Sequence, residues 1–455
     1  MISVGFGVVT LIAAVAWWWC VPRLRAWPPS LGLLVAVLTV VPPHQVVALG
    51  IGMDDVLFLL GLLLLLPSAI HQLRHAPQPV PFGWPLAVGT GLLVAGTTIS
   101  AFVNADTAGE TLSLLLRGPA RLLLYVAMVV VVVAQSPRER TRAVVARALA
   151  GVGTFEAVFS VVAYTVGLPG GFGLEAAQGN TSLVGEIPGR VTGTLGLSPN
   201  FLGALLVLSI PVSLGLALDA RDTRGRIGWA AAVVAQIGAV VLTYTRSSLG
   251  VVLLACVVLI GLRGRLRWLA AGAVVLVGLL VFTPAFDRIV HDRTDRMALY
   301  ASAVQVFADH PFAGVGPGEQ ARFTAADPAH YRMTDWGVAG NNAHNTILLA
   351  AAEDGILGLA GAVVLNLALV VVAIAVIRRA RTVARLDGDR RAEPLAVAVA
   401  VLAFLSQGMT NNLFTVTLTA SALVMLVAGC ALPWLGPAVP RTSAPRHALA
   451  ASNEI

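Results

Sequence analysis

The stretch at residues 198–226 reads SPNFLGALLVLSIPVSLGLALDARDTRGR. Its first part, 199–219, is an apolar run whose only charged residue stands at its end, and a helix needs about 20 such residues to cross a bilayer. Its last part, 220–226, is rich in arginine. An apolar run that ends in an arginine cluster is typical of a membrane helix leading into a cytoplasmic loop.

The same pattern recurs along nearly the whole chain, which is 57% hydrophobic and only 12% charged. A soluble domain carries about 25% charged residues. We therefore expect an all-α polytopic integral membrane protein with about 12–13 transmembrane helices. The predicted spans are 2–20, 29–47, 51–70, 84–103, 117–134, 143–167, 199–219, 227–244, 247–262, 266–283, 346–377, 393–411 and 413–435. They form one membrane domain, 1–435, followed by a flexible cytoplasmic tail, 436–455.

Arginine placement orients these helices. The arginine-dense loops alternate with the predicted spans, and the positive-inside rule makes them cytoplasmic; they are 21–25, 137–147, 220–226, 262–267 and 378–391. Two long loops, 168–198 and 284–345, are then extracytoplasmic. The second contains apolar residues at helical spacing within 294–309, which predicts an interfacial helix; they are Met297, Tyr300, Ala301, Val304 and Phe307.

Composition also excludes several classes of function. The net charge of +7 comes from arginine alone, and no basic stripe is interleaved with exposed aromatic residues, so we expect no nucleic-acid binding. The three cysteines lie far apart in apolar segments, and no cysteine–histidine group has the spacing of a zinc site, so we expect no disulfide and no metal. No phosphate-binding loop or dinucleotide motif is present, and we expect no cofactor.

Three arginines depart from the inside bias: Arg190, Arg246 and Arg296 each lie near the outer boundary. Arg246 occupies a short turn between two apolar helices, with no neighbouring acid. An arginine near hydrocarbon is costly and normally has a partner. Guanidinium groups bind phosphate oxygens in a bidentate manner, so three of them could hold a diphosphate. The alternative is a boundary arginine that reaches for water at 246 and solvated loop charges at 190 and 296.

A histidine in NNAHNTILLAAAEDGILG, residues 341–358, is the candidate base. We expect His344 in the first turn of the helix that follows the long loop, with Asn341 or Asn342 as its cap. The positive end of a helix dipole disfavours an imidazolium, and a neutral imidazole is what a general base needs. The alternative is a polar residue at an interface.

Other polar residues take supporting roles in this interpretation. Asn345 and Glu353 are predicted to support the site. Glu156 is a costly intramembrane carboxylate that could pair with an arginine.

Four stretches together resemble the O-antigen ligase-like membrane proteins, which include O-antigen ligases, O-antigen-type polysaccharide polymerases and some protein O-oligosaccharyltransferases. They are GRVTGTLGLSPNFLGALL (189–206), LTYTRSSLGVVLL (242–254), RMALYASAVQVFADHPFAGVGPGEQ (296–320) and AHNTILLAAAEDGILGLAG (343–361). Their order, spacing and placement all fit, over roughly residues 185–365.

The resemblance implies a metal-independent glycosyltransferase in the cytoplasmic membrane, working on its outer face among membrane lipids. It would move a glycan from a polyprenyl-diphosphate donor to a hydroxyl of a glycan, lipid or protein acceptor, with inversion. By the same resemblance, His344 would act as base or orient the acceptor, and Arg190, Arg246 and Arg296 would hold the diphosphate. Ligase and polymerase both remain open. The rival class is a transporter or flippase of lipid-linked glycans, which predicts charged or broken helices near the bilayer midplane.

Overall fold

The structure is a computed structural model of the 455-residue chain. It describes residues 83–124, 126–127, 139–167, 189–195, 198–263, 296–331, 342–386, 391–411 and 413, with short pieces at 46–48, 51–52, 70, 74, 181–182 and 185–186.

Helices dominate the described part. They are α1 (Gly83–Asn104), α2 (Ala108–Arg117), α3 (Glu139–Val166), α4 (Pro199–Asp219), α5 (Thr223–Leu242), α6 (Arg246–Leu262), α7 (Arg296–Asp309), α8 (Gln320–Ala326), α9 (Thr346–Leu386) and α10 (Glu393–Gly408). Two small antiparallel pairs of strands accompany them: β1 (Val46–Ala48) with β2 (Ile51–Gly52), and β3 (Thr181–Ser182) with β4 (Gly185–Glu186).

Five described helices are long and apolar enough to cross a membrane: α1, the 145–166 part of α3, α4, α5 and α9. Two shorter apolar helices, α6 and α10, pack among them. The chain is therefore an all-α polytopic membrane protein, as the sequence predicts. The predicted spans 2–20, 29–47, 51–70, 266–283 and 413–435 and the 436–455 tail lie wholly or almost wholly outside the described residues.

Helix α4 forms the centre of the bundle and contacts α3, α5, α6 and α10. Its start is set by Ser198, whose side chain accepts the backbone N–H of Asn200, and by Pro199 in the first turn, where a missing N–H costs nothing. Most of its side chains are buried on all sides. A helix that is apolar all round takes such a central position, because each face meets another helix.

Glycines bring α1 and α9 into backbone contact. A Cβ added at Gly89 would lie 2.6 Å from the backbone nitrogen of Leu365, and one at Gly96 would lie 2.7 Å from that of Gly358. A Cβ at Gly361 would lie 2.5 Å from the nitrogen of Leu93. Small residues at such positions let membrane helices approach closely and gain packing contacts.

Helix α9 is broken, which corrects the prediction of one continuous helix over 346–377. Gly355 has φ 66° and ψ −154°, a conformation essentially restricted to glycine. In a continuous helix Ala350 and Gly358 would be roughly 12 Å apart. Instead a Cβ at Gly358 would lie 2.5 Å from the Ala350 carbonyl oxygen, so the chain folds back on itself.

The loop after α7 satisfies the backbone groups that this break frees. The backbone N–H groups of Val315 and Gly316 donate to the carbonyls of Ala352 and Glu353, and the N–H of Ile356 donates to the Pro311 carbonyl at 2.8 Å. The break is thus a built feature, with its hydrogen bonds replaced by neighbouring backbone.

The helix boundary near 117 also differs from the prediction of a span at 117–134. Helix α2 runs before it and ends at Arg117, where the Gly118 N–H bonds the Leu114 carbonyl. Residues 119–124 are helical again, and most of the rest of that span lies outside the described residues.

Helix ends that the arginine pattern assigns to the same side of the membrane lie at the same end of the helix bundle. At one end of the bundle Asp219, at the end of α4, accepts bonds from Arg263 and from the backbone N–H groups of Ala392 and Glu393. At the opposite end, Asn104 contacts the Gly314 carbonyl, and the Tyr164 and Tyr244 hydroxyls are 3.2 Å apart. The second end carries the candidate site.

Candidate functional site

Arg190 binds the turn that ends at Arg246. The turn joins α5 to α6, and Arg246 is the first residue of α6. Arg190 donates from Nε to the Thr243 carbonyl at 2.9 Å and from Nη2 to the Thr245 hydroxyl at 3.2 Å. The structure therefore places Arg190 on the turn that leads into Arg246, although the two residues are far apart in sequence.

Glu156 fixes the loop that carries Arg190. Its buried carboxylate accepts the Thr194 backbone N–H at 2.8 Å and the Thr194 hydroxyl. The expected pairing of Glu156 with an arginine is replaced by this contact. Gly193 has φ 64°, and a Cβ there would collide with the same carboxylate, so the short helical turn Gly193–Leu195 sits directly on it.

Arg296 is the first residue of α7, within the predicted 294–309 segment, which is confirmed as helical from 296. Its Nη1 donates to the Thr410 carbonyl at 2.6 Å, and one turn later the Tyr300 hydroxyl donates to the Met409 carbonyl at 3.0 Å. Met297 and Val304 are exposed, whereas Ala303 and Val306 pack inward, so α7 keeps an uncovered apolar side. On its inward side α7 packs in one apolar cluster with Ala343, the residue before the histidine, and Leu349.

His344 lies just before α9 and not in its first turn, which begins at Thr346. The cap is also corrected: Asn345 Oδ1 accepts the N–H groups of Ile347 and Leu348, both at 3.0 Å. Asn342 instead accepts the N–H of His344 itself at 3.4 Å, and Asn341 lies outside the described residues. The base candidate thus precedes the cap at a helix N-terminus, where the N–H groups favour negative charge.

The turn at residues 407–411 joins the three groups. Asn345 Nδ2 donates to the Met409 carbonyl at 3.0 Å, and Arg296 donates to the next carbonyl along the chain. Gln407 Nε2 bonds the Ser248 hydroxyl at 2.8 Å, two residues after Arg246. The 407–411 turn therefore ties together the starts of α6, α7 and α9, which carry Arg246, Arg296 and His344.

Burial and charge favour a neutral imidazole. Burial lowers the pKa of His344, and the neighbouring Arg296 guanidinium lowers that pKa further. Within the described residues, the non-glycine residues with positive φ are Tyr244, at 50°, and His344, at 44°. Both belong to this site, and such backbone strain gathers at functional positions.

Glu353 takes a structural position. Its carboxylate accepts the backbone N–H groups of Gly318 and Gln320, and its own carbonyl accepts the Ser100 hydroxyl. It thus holds the loop after α7 against α1 and α9. The structure gives Glu353 no contact with His344, so any support for the site acts through this loop.

Sequence reasoning missed the 407–411 turn and the threonines beside Arg246. The signal was present in QGMTNN, 407–412, a polar stretch at the end of the predicted span 393–411. Helix α10 in fact ends at Gly408, so the interruption is a turn and not part of the span.

Comparison with known proteins gives one family. Residues 231–363 match the family model for the O-antigen ligase. This range includes Arg246, Arg296 and His344, but it begins after Arg190. No curated protein matches the chain. Over this segment, which is less than a third of the chain, the protein is similar to the O-antigen ligase family.

Proposed function

We propose that this protein transfers a glycan from a polyprenyl-diphosphate donor to an acceptor hydroxyl on the outer face of the cytoplasmic membrane. The observation that carries the proposal is the convergence around the 407–411 turn of His344 and two arginines, with Arg190 on the adjoining Thr243–Arg246 turn. The family match, which describes a glycan ligase, supports it.

The arginines would act on the diphosphate. Charge-assisted bonds from guanidinium groups are stronger than neutral ones, and the apolar surroundings of the bundle strengthen them further. As the sugar leaves, negative charge builds on the diphosphate, so groups already in place stabilise the transition state more than the ground state.

His344 would receive the proton of the acceptor hydroxyl. The bond from the anomeric carbon to the phosphate oxygen breaks, and the bond from that carbon to the acceptor oxygen forms. The proton passes to the imidazole, and polyprenyl diphosphate leaves with the electron pair. Attack on the face opposite the diphosphate inverts the anomeric carbon. Burial and then the Arg296 charge lower the pKa of His344, which favours the neutral imidazole that can accept a proton.

An apolar groove beside the site suits the polyprenyl chain. It has a volume of about 530 Å³ and runs between α6, α9 and α10. Ile347 and Met409 line one end of it, next to Asn345, and Val258 lies deeper along α6. A lipid-linked donor could thus place its diphosphate by the arginines and its tail against these helices.

The break in α9 is the one observation that favours a flippase or transporter of lipid-linked glycans, because such proteins use discontinuous helices. Yet the break lies near the site end of the bundle. Ser100, whose hydroxyl contacts Glu353 at the break, is only one turn from the end of α1 at Asn104. Backbone hydrogen bonds from the loop after α7 hold the break in place, which fits a fixed structural element better than a substrate gate.

The proposal is tested in a strain that lacks this gene, complemented with wild type or His344→Ala at matched membrane levels. Surface glycan and lipid-linked glycan are sized side by side. His344→Ala should fail to restore surface glycan. Single lipid-linked repeat units would indicate a polymerase, and long chains left on the carrier would indicate a ligase. A His344→Ala protein that restores both pools, or a donor pool confined to the inner leaflet in the deletion strain, would overturn the proposal.

A further inference from the structure

The start of α4 reaches the turn that Arg190 binds. Arg190 Nη2 donates to the Thr245 hydroxyl at 3.2 Å, and that hydroxyl lies 3.2 Å from Oδ1 of Asn200, in the first turn of α4. Arg190 and Asn200 therefore contact one and the same hydroxyl group. The central helix of the bundle is thus joined to a proposed diphosphate-binding arginine through a single side chain.

Hydrogen-bond chemistry fixes the direction of this contact. A guanidinium can only donate, so the buried Thr245 oxygen accepts from Arg190, and its own proton goes to another acceptor. Two acceptors are within reach: Asn200 Oδ1 at 3.2 Å and the Thr243 carbonyl at 3.4 Å. The Thr243 carbonyl already accepts Arg190 Nε at 2.9 Å. Asn200 is therefore the better acceptor, and the relay runs from Arg190 through Thr245 to Asn200.

Close packing of α4 against α6 holds the relay in place. One turn after Asn200, a Cβ added at Gly203 would collide with the hydroxyl of Ser248, which lies one turn after Thr245. A small residue at such a position lets two membrane helices approach closely. The same Ser248 hydroxyl accepts Gln407 Nε2 at 2.8 Å, so α6 is also fixed from α10. Asn200 and Thr245 therefore face each other across a rigid contact.

Tyr244 shapes the turn between the two threonines. Its φ of 50° is left-handed, a conformation that is uncommon for a residue with a Cβ. With Tyr244 in this conformation, the Thr243 carbonyl and the Thr245 hydroxyl both reach the Arg190 guanidinium. The Tyr244 side chain is buried, and its hydroxyl lies 3.2 Å from that of Tyr164 on α3. The surroundings thus keep the turn in a strained form that presents both groups to Arg190.

We propose that Asn200 is a positioning residue for Arg190, because it accepts the Thr245 proton and so keeps the Thr245 oxygen turned towards the guanidinium. The inference rests on the proposed function, in which Arg190 binds the diphosphate of the donor. A guanidinium that is already held in one orientation loses little side-chain freedom when the donor binds, and such preorganisation raises affinity. Without the Asn200 oxygen, the Thr245 proton would turn to the Thr243 carbonyl and compete there with Arg190.

The test uses the full-length protein purified in detergent, with geranylgeranyl diphosphate as the probe. The thermal midpoint is measured against probe concentration, because a ligand that binds only the folded state raises it. Asn200→Leu keeps the approximate size of the side chain but removes the acceptor, and it should need roughly tenfold more probe than wild type for the same rise. Thr245→Val should show at least the same loss. Thr245→Ser keeps the hydroxyl and should bind the probe like wild type.

A combined variant separates positioning from a merely structural role. If Asn200 acts through Arg190, adding Asn200→Leu to Arg190→Met should weaken probe binding no further, since the effects of residues in one network are not additive. A structural role independent of Arg190 would lower the affinity of the double variant again. The matched control is Thr154→Val, which removes a threonine hydroxyl that accepts Gln236 Nε2 at 3.0 Å inside the bundle. It should leave probe affinity unchanged.

The possible outcomes distinguish the relay from the proposed function. Equal probe affinity of Asn200→Leu and wild type, or additive losses in the double variant, would overturn the relay alone. Unchanged affinity of Arg190→Met would remove Arg190 from the diphosphate site, and the relay with it. Weakened binding by Asn200→Leu together with full glycan transfer by His344→Ala would refute the transfer chemistry and leave the relay standing. Should Asn200→Leu not fold, equal affinities of Thr245→Val and Thr245→Ser would overturn the proposal.

Discussion

Arg296 and Asn345 donate to neighbouring carbonyls: Arg296 Nη1 lies 2.6 Å from the Thr410 oxygen, and Asn345 Nδ2 lies 3.0 Å from the Met409 oxygen. The proposed diphosphate-binding arginine and the residue that caps the helix behind His344 are therefore held by one turn. A change at this turn should alter the position of the base and of the arginine together.

Asn345→Ala should lower both stability and turnover. It removes a helix cap, worth about 1 kcal/mol, and the bond to Met409, worth about 1 kcal/mol more. Thermal unfolding in detergent measures the loss of stability, and transfer per folded molecule measures the loss of turnover. The matched control is Asp222→Ala, which removes the cap of α5 at the opposite end of the bundle. It should cost similar stability with no loss of turnover, and equal turnover in the two variants would contradict the anchoring role of Asn345.

Arg296→Gln should move the acid limb of the pH–rate profile to higher pH. The Arg296 charge disfavours the imidazolium and so lowers the pKa of His344; without it that pKa rises towards its ordinary value of about 6.5. More of the base is then protonated at any pH below that value, and the rate falls earlier as pH is lowered. The profile is measured at saturating donor, with the exposed Arg322→Gln as control. A limb that stays in place, or moves to lower pH, would exclude His344 as the titrating base.

Gly355→Ala should destabilise the protein by about 3 kcal/mol or more. Its backbone conformation is strained for any residue with a Cβ, and that Cβ would also strike the Phe312 carbonyl. Gly91→Ala is the control, since Gly91 lies on the exposed face of α1 with no atom near its added Cβ. It should be neutral or stabilise by about 0.5–1 kcal/mol. Thermal midpoints of the two variants that differ little would show that α9 does not need the break.

Glu156→Gln should weaken donor binding more than it slows turnover. The amide has one acceptor oxygen in place of two, so it cannot accept both Thr194 bonds, and the Gly193–Leu195 turn shifts with Arg190 as the Thr194 hydroxyl rearranges. We expect the donor concentration at half-maximal rate to rise about tenfold, as for one lost hydrogen bond in a buried site. Ser160→Ala on the same helix should leave it unchanged. A fall in turnover alone would place Glu156 elsewhere in the mechanism.

Much of the fold followed from apolar length and arginine placement. The span 199–219 coincides with α4, and 84–103 and 393–411 differ from α1 and α10 by a few residues. These features depend on local sequence, because the bilayer demands a run of apolar residues whatever its neighbours are. The kind of candidate site was predicted from residue chemistry, because three arginines and a histidine were expected at the same side of the membrane.

The break in α9 could not be predicted locally. EDGILG at 353–358 continues an apolar helical run, and a glycine there is tolerated in an ordinary helix. What breaks the helix is the backbone of the loop at 311–316, which supplies replacement hydrogen bonds from a distant part of the chain. The pairing of Glu156 with Thr194 and the role of the 407–411 turn were hidden for the same reason, since both are long-range contacts.

The role of His344 is tested by a transfer assay with purified wild type and His344→Ala in detergent, using extracted lipid-linked glycan as donor. Loss of the proposed base should reduce the rate of glycan release from the diphosphate by roughly 10²–10⁴-fold, with thermal stability and donor affinity close to those of wild type. A His344→Ala rate within a few-fold of wild type would exclude His344 as the proton acceptor in glycan transfer.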